Sequence, residues 1–189
     1  MEQSSANNRP DRLLEATVER ARQGEVGAYR WLYDRYKDEM YRASLALSRN
    51  EYLAEEAIQE SFIRMHKNIK TLKDCSKFVP WLYRIVLNAT YTTIRRHRNH
   101  WVDLDDEQAE IADNENPSRD VWQLLSSALR KLPKGYRNVF VLHYLQELPH
   151  EQVAAIMNVS VGTSKSQYHR AREKLRVIFT KMDIGYETV

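Results

Sequence analysis

The sequence predicts an all-α protein of two small helical domains joined by a flexible acidic linker, with a helix-turn-helix as the C-terminal domain. Three observations support this fold class. Only five glycines and five prolines occur in 189 residues, which is too few for the frequent tight turns of a β-sandwich or barrel. Apolar residues recur at helical spacing along most of the chain. A single acidic stretch without that spacing interrupts them.

The first part of the chain, residues 1–24, is expected to hold a polar N-terminal arm and the start of a helix near Asp11. The first helical domain is expected over residues 25–99. Two sets of its apolar residues follow the spacing of a buried helix face. They are Tyr29, Leu32, Tyr33, Tyr36 and Met40, followed by Ile58, Phe62 and Met65.

A further helix of this domain is predicted from Phe78 to about His97, because Pro80 falls within its first turn, where proline is tolerated. One side of the helix is apolar and is expected to face the core. It consists of Phe78, Trp81, Leu82, Ile85 and Ala89. The other side is polar and ends in a basic cluster, part of which can be structural because cations stabilise the carboxyl end of a helix. It consists of Arg84, Asn88, Tyr91, Thr92 and Arg95, and the cluster continues through Arg96, His97 and Arg98.

The acidic linker is expected over residues 100–117. It contains seven acidic side chains and no Lys or Arg, so its net charge is −7, whereas residues 1–99 and 118–189 each carry a net charge of +5. It lacks apolar periodicity and ends in Asn-Glu-Asn-Pro, which is typical of a flexible linker. Two basic blocks suggest a nucleic-acid partner, although an ordinary solvated surface accounts for this modest excess equally well.

The C-terminal domain is expected over residues 118–182, with four helical segments. They span about 118–131, 134–146, 149–157 and 161–181. Pro133 and Pro149 lie where helices can begin, and Ser160 is a plausible N-cap for the last helix. A short helix, a tight turn and a longer basic helix form a helix-turn-helix.

The last helix is predicted to place Ser164, Tyr168, Ala171 and Leu175 against the core. Its opposite face then presents donors and acceptors to base edges, while the backbone amides at its start suit a phosphate oxygen. The base-reading residues predicted are Lys165, Ser166, His169 and Arg170, with Arg172 further round and Gly162 and Thr163 at the start. An ordinary solvated amphipathic helix is the alternative for this segment taken alone, and the preceding short helix and turn argue against it.

Three segments resemble the extracytoplasmic-function sigma factors of bacterial RNA polymerase. AEEAIQESFIRMHKNI, from Ala54 to Ile69, is similar to the helix with which that family binds the polymerase clamp. FVPWLYRIVLNATYTTIRRHR, from Phe78 to Arg98, is similar to its promoter-melting helix. LRKLPKGYRNVFVLHYLQELPHEQVAAIMNVSVGTSKSQYHRAREKLR, from Leu129 to Arg176, is similar to its helix-turn-helix, which reads the minus-thirty-five element.

The resemblance implies a role for each group of residues. Glu56, Gln59 and Glu60 are expected on the surface that meets the polymerase clamp. The loop before the melting helix is expected to capture a base of the minus-ten element, and that helix to guide the separated strand. The polar groups concerned are Lys73, Asp74 and Ser76 in the loop and Arg84, Asn88, Arg95 and Arg96 on the helix.

The resemblance also implies partners and a setting. The expected partners are core RNA polymerase, promoter DNA and an anti-sigma protein, of a kind that is often membrane-anchored. The expected setting is a stress or envelope-signal response. We expect the protein to lie in the cytoplasm, because no apolar stretch marks a signal peptide or membrane span. It is expected to need no cofactor, to be a monomer when free and to associate with the nucleoid when bound to polymerase.

Three residues depart from the family pattern. Pro149 replaces a usual serine or threonine, Ser164 a usual valine, and Gln167 a usually basic residue. We expect the fold to survive these changes. Ser164 is expected to loosen packing, and Gln167 to remove a phosphate contact.

Other classes of protein fit less well. His150 and Glu151 lack the second histidine of a zinc-protease motif because Ala154 stands in its place, and no phosphate-binding loop occurs, so we expect no enzymatic activity. A sigma-like decoy for an anti-sigma protein would lose the basic face and the clamp residues. A conventional operator-binding regulator leaves residues 51–98 unexplained. Cys75, the single cysteine, is assigned no role.

Overall fold

The computed structural model describes residues 9–100 and 117–181. Within these ranges the chain forms helices and connecting turns and no strand, so the predicted all-α class is confirmed for the described residues. Residues 1–8 of the predicted arm and residues 101–116 of the predicted acidic linker lie outside them.

The N-terminal part is a bundle of four helices. They are α1 (Arg9–Arg22), α2 (Val26–Ser48), α3 (Glu51–Asn68) and α4 (Phe78–His100). Two short 3-10 turns, Ile69–Thr71 and Cys75–Lys77, connect α3 to α4. The helices α2, α3 and α4 pack against one another, and α1 lies on α2 and on the second 3-10 turn.

The junction between α2 and α3 follows from two adjacent residues. Arg49 ends α2 in the left-handed conformation, with φ at 59°. The Asn50 side chain then accepts a hydrogen bond from the Leu53 N–H at 2.9 Å, which caps the exposed amides at the start of α3. This tight connection brings α3 back against α2.

The core of the bundle contains most of the predicted helix faces. Leu32, Tyr36 and Met40 of α2 and Ile58, Phe62 and Met65 of α3 are buried. The prediction that Tyr33 is buried is wrong, because 44% of this residue is exposed. It lies at the edge of the apolar stripe, where its ring touches Phe62 in an edge-on contact with centroids 4.7 Å apart. Tyr29 is half-buried.

The helix α4 is buried over a wider arc than the sequence predicted. Phe78, Leu82 and Ala89 are buried as expected, while Trp81 and Ile85 are only half-buried. Tyr83 and Val86, outside the predicted side, are fully buried. The Tyr83 hydroxyl donates a hydrogen bond to Glu39 Oε1 at 2.5 Å, and burial raises the pKa of Tyr83 far above its usual value. Neighbours on more than one side of α4 cause the difference.

The C-terminal part contains the predicted helical segments. They are α5 (Pro117–Arg130), α6 (Lys134–Phe140) continued by a π-helical segment (Val141–Leu145), α7 (His150–Met157) and α8 (Val161–Lys181). Pro133 and Pro149 immediately precede α6 and α7. Leu129, Val139, Leu142 and Val153 form the core that these helices share with α8.

One arginine ties α5 to α6. The Arg137 guanidinium donates hydrogen bonds to the carbonyl oxygens of Leu129, Arg130 and Leu132, at 2.9, 2.8 and 3.0 Å. Carbonyl groups at a helix end have no partner within the helix. Arg137 supplies that partner, so it fixes the direction in which α6 leaves α5.

Candidate nucleic-acid interface

The turn between α7 and α8 gives α8 a defined start. Asn158 ends α7 in the left-handed conformation, with φ at 55°. The Ser160 hydroxyl accepts a hydrogen bond from the Thr163 N–H at 3.0 Å, so Ser160 is the N-cap of α8, as predicted. These two residues make the turn short and hold α7 and α8 together as a helix-turn-helix.

The helix α8 divides into a buried face and an exposed face. Ser164, Ala171 and Leu175 are buried and Tyr168 is half-buried, which confirms the predicted core face. The opposite face is exposed. It carries the predicted base-reading residues Lys165, Ser166, His169, Arg170 and Arg172, and Gly162 is exposed at its start with Thr163 half-buried. The positive end of the helix dipole, around Gly162 and Thr163, suits a phosphate oxygen.

Three basic side chains of this exposed face make weak contacts within the chain. Arg170 Nη1 donates to the Tyr136 hydroxyl at 3.5 Å, which is long for a hydrogen bond. His169 Nε2 lies 3.3 Å from Glu173 Oε1, and the Arg172 guanidinium lies 5.9 Å from the centroid of Tyr168. Exposed contacts of these kinds are worth about 1 kcal/mol or less each, so DNA can replace them at small cost.

Ser164 is accommodated by a histidine. His150 Nδ1 lies 2.9 Å from Ser164 Oγ, and the His150 ring stacks on His143 with centroids 3.8 Å apart. The Tyr168 ring closes the cluster edge-on, 4.6 Å from His143. The buried Ser164 hydroxyl therefore has a hydrogen-bond partner, and that partner belongs to a cluster of aromatic rings.

The surroundings of this cluster favour the neutral form of His150. Burial lowers the pKa of His150, the nearby His143 and Lys165 lower it further, and Glu151 opposes them. His143 Nδ1 lies 2.8 Å from the Leu148 carbonyl oxygen. A carbonyl only accepts, so this nitrogen carries the proton.

The C-terminal domain is expected to lose thermal stability on acidification. His150 binds fewer protons in the folded chain than in the unfolded chain, whose histidine pKa is 6.5. The stability that the neutral ring contributes is thus present above that value and is lost as the pH falls through the lower folded pKa. Calorimetry between pH 7.5 and 5.5 should show the melting temperature falling with pH. His150→Gln should weaken the dependence of the melting temperature on pH, because glutamine can hydrogen-bond to Ser164 without titrating. An equal dependence on pH in both proteins would contradict the role given to His150.

The Gln167 side chain of α8 lies against α6. It is half-buried, and a Cβ added at Gly135 of α6 would lie 3.5 Å from its Oε1. That oxygen is buried and has no hydrogen-bond partner among the described residues. The glutamine at this position therefore fits against Gly135.

The polar side of α4 is divided between contacts and exposure. Arg84 donates hydrogen bonds to the carbonyl oxygens of Ile156, at 2.8 Å, and Ala155 in α7. The Tyr91 hydroxyl donates to Asn138 Oδ1 at 2.5 Å. Asn88, Arg95 and Arg96 are exposed, and Thr92 is half-buried, its hydroxyl donating to the Asn88 carbonyl oxygen at 2.8 Å. The structure therefore joins part of the predicted DNA-guiding surface to the helix-turn-helix.

The loop before α4 is internally bonded. Asp74 Oδ1 accepts hydrogen bonds from the Ser76 N–H at 3.0 Å and from the Ser76 hydroxyl at 2.6 Å, and hydrogen bonds from Ser76 lower the pKa of Asp74. Lys73 is exposed beside them. The structure thus brings Asp74 and Ser76 together, but these two residues hydrogen-bond to each other in this conformation.

Cys75 lies on the inner side of the same loop. Its Sγ is 3.6 Å from Glu19 Oε2, and burial raises the pKa of the thiol. A raised pKa disfavours the reactive thiolate.

The predicted clamp residues lie along α3 in different environments. Glu56 forms an ion pair with Arg96 and lies 2.7 Å from His97 Nε2. Glu60 accepts a hydrogen bond from Arg64 at 2.7 Å. Gln59 is exposed. Glu56 therefore also contributes to the packing of α3 on α4.

Gln59 borders an apolar depression that the sequence prediction missed. It has a volume of about 450 Å³ and is lined by Tyr33, Gln59, Phe62, Ile63, His66 and Lys67. Tyr33 and Ile63 are exposed apolar side chains. The available signal was Ile63, which directly follows Phe62 and so lies off the buried stripe of α3.

The described ranges contain neither a metal-binding cluster nor a membrane-spanning helix. No three His, Cys, Asp or Glu side chains there lie close enough to hold a metal ion. None of the described helices has both the length and the apolar character needed to cross a bilayer.

Two family profiles match the sequence. Sigma-70 region 2 matches residues 32–100, which include α3 and α4, and sigma-70 region 4 matches residues 122–175, which include the helix-turn-helix.

Similar proteins match over almost their whole length. The sequence is 34% identical over 178 residues to the ECF RNA polymerase sigma factor SigW of Bacillus subtilis, covering 87% of this chain and 95% of SigW. It is 30% identical over 154 residues to the ECF RNA polymerase sigma factor SigM of the same organism, covering 79% of this chain and 94% of SigM. It is 32% identical over 178 residues to the ECF RNA polymerase sigma-E factor of Haemophilus influenzae, covering 85% of this chain and 92% of that protein.

Two solved structures share the fold. CnrH, in complex with the cytosolic domain of CnrY, matches with a TM-score of 0.72 and 22% identity, over 89% of this chain and 97% of that one. RpoE of Bartonella quintana, in complex with the anti-sigma factor NepR, matches with a TM-score of 0.66 and 22% identity, over 82% and 98%.

Proposed function

This chain belongs to the extracytoplasmic-function sigma factors of bacterial RNA polymerase, and on that premise we propose which of its surfaces performs each step of initiation. As a sigma factor it binds core polymerase and directs it to promoters. The chemistry of transcription stays with the polymerase. The assignments below concern individual residues.

The exposed first half of α8 is the proposed minus-thirty-five reader. The observation that carries this proposal is the division of α8, in which Lys165, Ser166, His169 and Arg170 are exposed while Ser164 and Ala171 are buried. A recognition helix needs donors directed at base edges and cations beside them for phosphates. Arg172, with the amides at Gly162 and Thr163, is proposed to hold the backbone.

The minus-ten element is assigned to α4 and the loop before it. Lys73, Asp74 and Ser76 form an exposed polar group beside the start of α4, and breaking the Asp74–Ser76 hydrogen bonds would release donors and acceptors for one base. Flipping a base out of the stack costs a few kcal/mol. Arg84, Asn88, Arg95 and Arg96 are proposed to hold the separated strand by its phosphates.

The polymerase clamp is assigned to α3. Exposed apolar and amide groups lie together at Gln59, Ile63 and Tyr33, and the carboxylates of Glu56 and Glu60 lie on the same helix. A mixed apolar and acidic surface suits a basic helical partner.

Co-elution with purified core polymerase on a sizing column at moderate salt tests the clamp assignment. Wild type should co-elute stoichiometrically. A Glu56→Ala, Gln59→Ala, Glu60→Ala variant should bind at least tenfold more weakly, because it loses two charges and an amide from the contact. Since Glu56 also holds Arg96 and His97, the Gln59→Ala, Glu60→Ala double variant is compared separately.

Glu151→Ala, Gln152→Ala is the matched control, because it removes the same residue types from an exposed face of α7. It should bind like wild type. Failure of the wild type to bind would reject the clamp assignment and favour a decoy or a conventional regulator. Equal binding by all four proteins would move the contact away from α3.

Regulation and setting are proposed by analogy. We propose that an anti-sigma protein, either soluble or anchored in a membrane, holds this chain inactive until a stress or envelope signal arrives. The support is that CnrH was solved with the cytosolic domain of CnrY and RpoE with the anti-sigma factor NepR. The chain is proposed to act in the cytoplasm, at the nucleoid when bound to polymerase, and to be a monomer when free.

A further inference from the structure

The contact between α4 and α7 occupies part of the surface proposed for the separated DNA strand. Arg84 lies on α4, in the N-terminal bundle, and both carbonyl oxygens to which it donates lie in the last turn of α7, in the helix-turn-helix. The carbonyls of a last turn lack partners within the helix, and the helix dipole makes that end negative. Arg84 therefore caps a helix of the other domain.

A second contact lies two turns further along α4. The Tyr91 hydroxyl donates to Asn138, of which only 4% is exposed. The Lys134 ammonium lies 4.2 Å from the centroid of the Tyr91 ring. Tyr91 and Arg84 are seven residues apart, so they lie on the same side of α4. The helix-turn-helix thus covers this side at two separate points.

A third contact limits the strength of the closure. The end of α2 also packs on α5 and on the π-helical segment. There, burial and the charge of Arg130 lower the pKa of Arg49, so two like charges approach each other across the closed interface. The contacts at Arg84 and Tyr91 favour closure, whereas the repulsion between Arg49 and Arg130 opposes it.

We propose that the free chain is autoinhibited by a latch, formed by Arg84, Tyr91, the end of α7 and the start of α6, which occupies the Arg84 guanidinium on the strand-guiding side of α4. This inference rests on the proposed minus-ten role of α4. Arg84 cannot bond the α7 carbonyls and a DNA phosphate with the same N–H groups, so closure and strand binding exclude each other. The apparent affinity for single-stranded DNA is then reduced by the fraction of open molecules.

The test opens the latch from the side that the proposal does not assign to the separated strand. Ala155 is exposed, and Ala155→Arg adds a cation and a long side chain to the turn of α7 whose carbonyls Arg84 bonds, without altering α4. Val177→Arg is the matched control, because it adds the same charge at an exposed position of α8. Lys134→Glu is a second opening variant, since an acid at the start of α6 is compatible with the helix and removes the cation over Tyr91.

Small-angle X-ray scattering of the full chain is the first measurement. Wild type and Val177→Arg should give the same radius of gyration, and Ala155→Arg a larger one, with a smaller increase for Lys134→Glu. Circular dichroism identifies any variant that fails to fold. An unchanged radius in a folded Ala155→Arg or Lys134→Glu protein would overturn the latch.

Binding of fluorescein-labelled single-stranded DNA of mixed sequence, without polymerase, is the second measurement. Ala155→Arg should bind about five- to tenfold more tightly than Val177→Arg, and adding Arg84→Ala should remove the gain. Equal binding by the two single variants would overturn the latch. Polymerase co-elution is independent of both measurements, so loss of the latch leaves the sigma assignment intact, and failure of co-elution leaves the latch intact.

Discussion

Replacing Lys165 or Arg170 by alanine is expected to abolish promoter-specific transcription while leaving assembly with core polymerase unchanged. Both side chains are exposed on the first half of α8, and the contact of Arg170 with Tyr136 is long. One good side-chain contact to a base is worth about 1–3 kcal/mol of discrimination, which corresponds to about 5- to 150-fold in affinity.

The measurement is transcription by reconstituted holoenzyme from a promoter selected out of a random DNA library, with co-elution run in parallel. Lys181→Ala serves as the control. It removes an exposed cation from the same helix, eleven residues beyond Arg170 and about 16 Å further along the axis. Transcription near the wild-type level is expected for the control. If the control loses as much transcription as the test variants, the general charge of α8 rather than base reading governs transcription. If the test variants also lose polymerase binding, the assignment of α8 is wrong.

Phe78→Ala is expected to lower the free energy of unfolding of the N-terminal bundle by about 3–5 kcal/mol. Phe78 is fully buried at the first position of α4. Its ring lies 5.7 Å from Tyr36 and 6.0 Å from Trp81, measured between centroids. Removing it leaves a cavity at the point where the loop Ile69–Lys77 meets the bundle, so the proposed minus-ten site should lose its support as well.

Urea unfolding followed by circular dichroism measures the change. Ile63→Ala deletes an apolar side chain from an exposed position on α3, and its effect should stay within about 0.5 kcal/mol. A loss below about 1 kcal/mol for Phe78→Ala would show that the junction of loop and helix does not depend on this ring. Loss of DNA binding by a stably folded Phe78→Ala protein would instead point to a local role at the loop.

Helical periodicity predicted most of the core because it is a local property. Leu32, Met40, Phe62 and Leu82 are buried where the spacing placed them. Tyr33 was placed wrongly, because periodicity gives a direction around the helix but does not say where the neighbouring helix ends. Tyr83 was missed for the converse reason, since α4 has more than one neighbour.

The sequence by itself determined the all-α class, the helix that begins at Phe78, the helical segments of the C-terminal part, the Ser160 cap and the exposed basic face of α8. Each depends on residues within a few positions of one another, whose spacing sets local backbone hydrogen bonds and amphipathic faces. Only the tertiary structure decided which distant groups meet. His150 supports Ser164 across 14 positions, and Arg84 reaches Ile156 across 72. Such pairs depend on how whole helices pack, and that packing is absent from local spacing.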